Sequence, residues 1–100
     1  MPDPHTEYRQ KLVDSVLDGA GTLDPAVRRA AATGVDVPED LRPYLDKVAR
    51  HAYKVTDEDV AALLGAGYSE DQIFEATVSC ALGACQHRLE AGLEAIRGVD

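Results

Sequence analysis

Apolar residues recur along this chain at three- and four-residue steps, the spacing of helices rather than strands. From Thr6 onward, Tyr8, Leu12, Val13, Val16 and Leu17 mark one helical face, with Thr6 as its cap and Gly19-Ala20-Gly21 as its stop. Met1–His5, with two prolines, reads as a loose lead-in. Thr22-Leu23-Asp24-Pro25 opens a second, short helix that ends near Gly34, with Pro25 at the first helical position, where it loses no hydrogen bond. Pro38 and Pro43 punctuate the turn that follows. Proline deep in a helix removes a bond and clashes, so the third helix is placed from about Leu41 through Ala52. Thr56 caps a fourth helix whose first turn holds Asp57, Glu58 and Asp59, matched to the helix dipole, and Gly65 or Gly67 ends it. Ser69 and Gln72 form a capping box that opens a fifth helix running to about Arg97. No alternating apolar run bounded by tight-turn dipeptides competes, and no internal repeat is evident. The pattern predicts a small all-α bundle of about five helices in a single domain, 1–100, with a long C-terminal helix.

The fifth helix carries two stripes. Phe74, Val78, Leu82, Cys85, Leu89, Leu93 and Ile96 step by 4, 4, 3, 4, 4 and 3, which predicts a core-facing row. Beside it run the small residues Thr77, Cys80, Ala84, Ala91 and Ala95. Gly83 and Gly92 each cost roughly 1 kcal/mol relative to Ala inside a helix, which points to close packing at those places. The partner is another helix of the same chain or the same helix of a second copy. We expect the second, a homo-oligomer built through residues 70–97.

Composition narrows the function. One hundred residues with 18 acids against 10 bases give a net charge of −8, and the bases are scattered. Such a surface is repelled by phosphate backbones, so no nucleic-acid partner is expected. No apolar run approaches the roughly 18–20 residues of a membrane span, so no membrane partner is expected either. The first residues lack the basic and apolar regions of a signal peptide, and two cysteines make no disulfide framework. The expectation is a cytoplasmic protein with reduced thiols.

The candidate chemistry is sparse. Cys80 and Cys85 stand five residues apart. On one helix that separates their Cα atoms by about 7.5 Å of rise and points them about 140° apart, so they cannot form a disulfide. His87 lies on the Cys80 side, about 10.5 Å along the axis. Cys80, Cys85 and His87 therefore cannot share a metal, and no metal or cofactor is called for. A Cys–His couple needs a residue from another helix, such as His51, or from another subunit. Glu75 is placed to face a helix pair, where burial would raise its pKa and let it move protons. Each of these residues also has a plain structural reading: cysteines as small hydrophobes, a solvated His87, a surface Glu75 and His51 as a helix-end cation. Nucleotide loops, nucleophile elbows and zinc-protease motifs are missing.

The strings V-T-D-E-D-V-A-A-L at 55–63, G-Y-S-E-D-Q-I-F-E-A at 67–76 and L-G-A at 82–84 before Arg88-Leu89 resemble the alkylhydroperoxidase-D-like proteins of the carboxymuconolactone decarboxylase family, over roughly residues 40–97. The resemblance implies an all-α bundle, homo-oligomers through packed helices, and thiol-dependent peroxide reduction or lactone decarboxylation. The family's Cys-x-x-Cys motif is absent here, and the alignment puts Ala84 and His87 where its two cysteines belong. No catalytic residue carries over. The expected function is a divergent relative without the dithiol motif, acting as a small-molecule-binding or accessory subunit, with a ligand or a family-related protein as partner. The alternative is an oxidoreductase or peroxidase using a single thiolate, Cys85 or Cys80, with Glu75 or His87 as proton carrier.

Overall fold

The computed structural model describes residues 4–98, with the side chains of residues 4–6, 8 and 9, Thr6 and Tyr8 among them, outside that description. Five helices follow one another: α1 (Pro4–Asp18), α2 (Pro25–Thr33), α3 (Arg42–His51), α4 (Asp57–Gly65) and α5 (Glu70–Arg97), with a 3-10 turn at Ala52–Lys54 after α3. No strand occurs among the described residues. The bundle is the small all-α fold that the apolar spacing predicts.

Local chemistry sets the helix ends. Asp24 caps α2 by accepting from the Ala26 amide, and Pro25 occupies the first turn. Gly34 closes α2 in the left-handed region at φ 77°, where a side chain would be strained. Both Thr56 with Asp59 and Ser69 with Gln72 form complete capping boxes. The lead-in is shorter than expected: Pro4 and His5 already belong to α1, so Thr6 lies inside the helix and does not cap it, and residues 1–3 of the expected lead-in lie outside the described residues. Proline has no amide to lose in a first turn, so Pro4 starts a helix without penalty.

The core gathers Leu23, Ala31, Val37, Leu41, Tyr44, Leu45 and Leu63 around one face of α5. That face holds Ile73, Ala76, Ser79 and Cys80. The bulky row is therefore corrected: Phe74 is 68% exposed, Ile96 71%, and Cys85 and Leu89 are exposed as well. The reason is distance. A Cβ on Gly83 would lie 2.8 Å from the Cα of Ala32, so α2 crosses α5 too closely for large side chains. Of the small-residue row only Cys80 is buried, with Thr77 and Ala84 half-buried and Ala91 and Ala95 exposed, and the close approach at Gly83 is made by α2 of the same chain. Gly92 meets nothing within 4 Å.

Polar ties fix the remaining helices. Tyr44 Oη and Thr77 Oγ1 share a hydrogen bond of 2.7 Å between α3 and α5. Lys47 Nζ reaches both carboxylate oxygens of Asp59, at 2.8 and 2.9 Å, joining α3 to α4.

Candidate functional site: a cation-lined groove between α2, α3 and α5

The end of α2, one face of α3 and the middle of α5 enclose an open groove of 780 Å³. Its walls include Ala31, Val37, Leu45 and Gly83, with Cys80 among them. Arg42, Arg50, His87 and Arg88 also line it, against a single acid, Asp46. The spacing explains the arrangement. Arg42, Asp46, Ala49 and Arg50 fall at successive turns on one face of α3, and Gly83, Ala84 and His87 do the same on α5.

The arginines are partly anchored. Arg42 Nη2 donates to the Val37 carbonyl at 3.3 Å, and Arg88 Nη2 donates to the Ala49 carbonyl at 3.1 Å. A guanidinium carries five N–H donors, so each retains free ones. Arg50 makes no ion pair or side-chain hydrogen bond among the described residues.

The structure separates the residues singled out in the sequence. Cys80 is buried at the groove wall, and its thiol donates to the Leu45 carbonyl at 3.5 Å. Burial pushes that thiol's pKa up, and the nearby Asp46 carboxylate adds to the shift. His87 shares the groove with Cys80, as its position seven residues on requires. Cys85 is exposed and does not line it. Both cysteines are free. His51 is exposed at the end of α3, edge-on to Tyr53 at 5.9 Å. Among the described residues no His, Cys, Asp and Glu cluster is shaped for a metal.

Glu75 requires a correction. Its carboxylate grips the loop between α1 and α2, accepting from the Thr22 amide at 3.0 Å, from Thr22 Oγ1, and from the Leu23 amide at 3.1 Å. The Thr22 hydroxyl, the two amides and nearby Arg28 hold its pKa below the ordinary 4.5, opposite to the rise expected from burial. The sign follows. A lowered folded-state value means that stability is present above the ordinary range and lost as pH falls through the folded value. Acid unfolding followed by circular dichroism should therefore begin below pH 4.5 in the wild type. In Glu75→Gln the acid-dependent loss should shrink while stability at neutral pH falls.

Arg28 is a residue that the sequence reading passed over. It is 3% exposed and donates to three carbonyls: Leu23 at 3.2 Å, Val16 at 2.9 Å and Gly19 at 2.6 Å. Arg28 and Glu75 together fix the α1–α2 loop from its carbonyl and amide sides. That anchors α2, whose C-terminal end forms one wall of the groove.

No protein-family model matches this chain, and no curated protein or solved structure matches it at a significant level.

Proposed function

We propose that this chain binds a small organic anion, with a carboxylate head and an apolar body, in the α2–α3–α5 groove. One observation carries the reading. Acids outnumber Lys and Arg 18 to 10 in the chain, yet three arginines and a histidine line this groove against one acid. The volume lies within the roughly 300–1,000 Å³ of ordinary ligand sites. Arginine forks match carboxylates with paired hydrogen bonds, while Leu45, Val37 and Ala31 offer an apolar wall. The protein would act as a binding or accessory subunit. Its likeness to alkylhydroperoxidase-D-like proteins rests on the strings at 55–63 and 67–76, and the missing Cys-x-x-Cys fits a binding role better than dithiol turnover.

Hexanoate, benzoate and hexanamide test this, with binding followed by amide chemical shifts. The two carboxylates are expected to shift Cys80, Gly83 and Ala84, and hexanamide to bind at least tenfold more weakly, about 1.4 kcal/mol. Arg50→Ala/Arg88→Ala should weaken carboxylate binding by the same order or more. Equal binding of acid and amide, or no effect of the double substitution, would defeat the reading.

A thiolate enzyme, the second reading, needs an activated sulfur. Cys80 is the thiol in the groove, and its pKa moves away from activation. Iodoacetamide titration should alkylate Cys85 before Cys80. Rapid Cys80 alkylation at neutral pH with peroxide consumption would instead revive the peroxidase.

A further inference from the structure

A helix of 28 residues is about 42 Å long, and α5 outruns the bundle that packs against it. Beyond Arg88 its residues are exposed, with Leu93 alone half-buried. A few unsupported helical turns are marginal in water. The same helix carries the row running from Phe74 to Ile96, in which Phe74, Cys85, Leu89 and Ile96 are exposed and Val78, Leu82 and Leu93 are half-buried. That row spans about 33 Å and is about 10 Å wide, so it presents roughly 330 Å² in projection, in the range of the largest apolar patches that monomers leave exposed. Helical geometry puts it on the face opposite Cys80, Gly83 and His87, so covering it leaves the groove open.

The row is self-complementary. Counting outward from Cys85, apolar positions occur at 3, 7 and 11 residues toward the N-terminus and at 4, 8 and 11 toward the C-terminus. Two antiparallel copies then set Phe74 against Ile96, Val78 against Leu93, Leu82 against Leu89 and Cys85 against itself. Steps of 4, 4 and 3 repeat every 11 residues, 3.67 per turn, which keeps the row nearly straight along the axis. The same register brings Arg97 of one copy within a turn of Asp71 of the other, twice by symmetry. Glu70, Asp71, Glu90 and Glu94 on α5 make an anionic lipid surface a poor occupant.

We propose that a second copy of this chain covers the Phe74–Ile96 row, as an antiparallel α5–α5 pair whose two-fold axis passes beside Cys85. The pair is isologous. Over both copies the row amounts to roughly 660 Å², below the roughly 1,200 Å² of stable interfaces, so the pair is a weak one that forms and dissociates with concentration.

Sedimentation equilibrium and thiol crosslinking test this on the full chain. The wild type is expected to pass from monomer to dimer as concentration rises through the micromolar range. Diamide, which removes two hydrogens from a pair of thiols, should link that dimer covalently in the wild type and not in Cys85→Ser. Leu89→Glu should leave a helical monomer. Asp71→Arg should weaken the dimer about tenfold or more, and Asp71→Arg/Arg97→Asp should recover it. The charge exchange lies on the surface and decides the matter if Leu89→Glu fails to fold. A wild type monomeric at every concentration overturns the proposal. So does a dimer indifferent to these substitutions, or one in which Cys85 does not crosslink.

Discussion

Arg28→Met should lower the unfolding free energy by about 3–5 kcal/mol, the largest loss expected from one side chain here. Methionine preserves much of the aliphatic volume, so the loss reports the guanidinium. Three carbonyls, of Val16, Gly19 and Leu23, lose their donor in a partly buried place. Hydrogen bonds to a charged group contribute about 1.5–3 kcal/mol each, and they do not add fully when they share one donor group. Glu75 also loses a nearby cation that helps keep it ionised. A domain of this size has about 5–15 kcal/mol in total, so thermal unfolding should move down by roughly 15 °C or more. Arg29→Met is the built-in comparison. Arg29 pairs with Asp14 and Asp18 on the surface, with its side chain 47% exposed, and exposed pairs contribute little. Equal effects of the two substitutions would show that Arg28 is not the anchor of the α1–α2 loop.

That comparison shows where the sequence stops being legible. Arg28 and Arg29 are neighbours of one type, and nothing local tells the buried one from the exposed one. The carbonyls that hold Arg28 belong to a loop whose path depends on where α1 ends. Helix ends were readable because their signals are local: Pro25 after Asp24, Ser69 with Gln72, Thr56 before three acids. The inward face of α5 was not. Bulk marks the row from Phe74 to Ile96, yet the buried face is Ile73, Ala76, Ser79 and Cys80, set by the close passage of α2, which no local pattern announces. Glu75 failed in the same way: its partners Thr22 and Leu23 lie more than fifty residues away, and they reverse the sign of its pKa shift.

The groove was half legible. Cys80 and His87 are seven residues apart and so share a face, which helical geometry alone gives. Along the sequence the arginines read only as scattered charge. Arg42 and Arg50 stand eight residues apart, two turns along α3, and that spacing was a usable signal. Arg88 joins them only because α5 packs across α3, which no local pattern announces.

The crossing of α2 and α5 gives the second large effect. Gly83→Ala should destabilise the protein by about 2 kcal/mol, while Gly92→Ala, on the same helix, should stabilise it by about 1 kcal/mol. Intrinsic propensity is identical at the two sites, since each exchange relieves a helix of a glycine. The surroundings differ. A methyl at 92 enters open space. A methyl at 83 falls 2.7 Å from the Ala32 carbonyl carbon and 2.8 Å from its Cα, and backbone cannot rotate aside as a side chain can. Helix α2 must therefore retreat, loosening Ala31 and Leu23 in the core and widening the groove that Ala32 and Gly83 both line. Denaturant unfolding measures the two changes. Anion binding by Gly83→Ala should weaken in parallel, because Arg42, Arg50 and Arg88 stay with α3 and α5 while the opposite wall moves. Opposite signs at 83 and 92 follow only from a close α2–α5 crossing, and a stabilised Gly83→Ala would show that the two helices lie further apart.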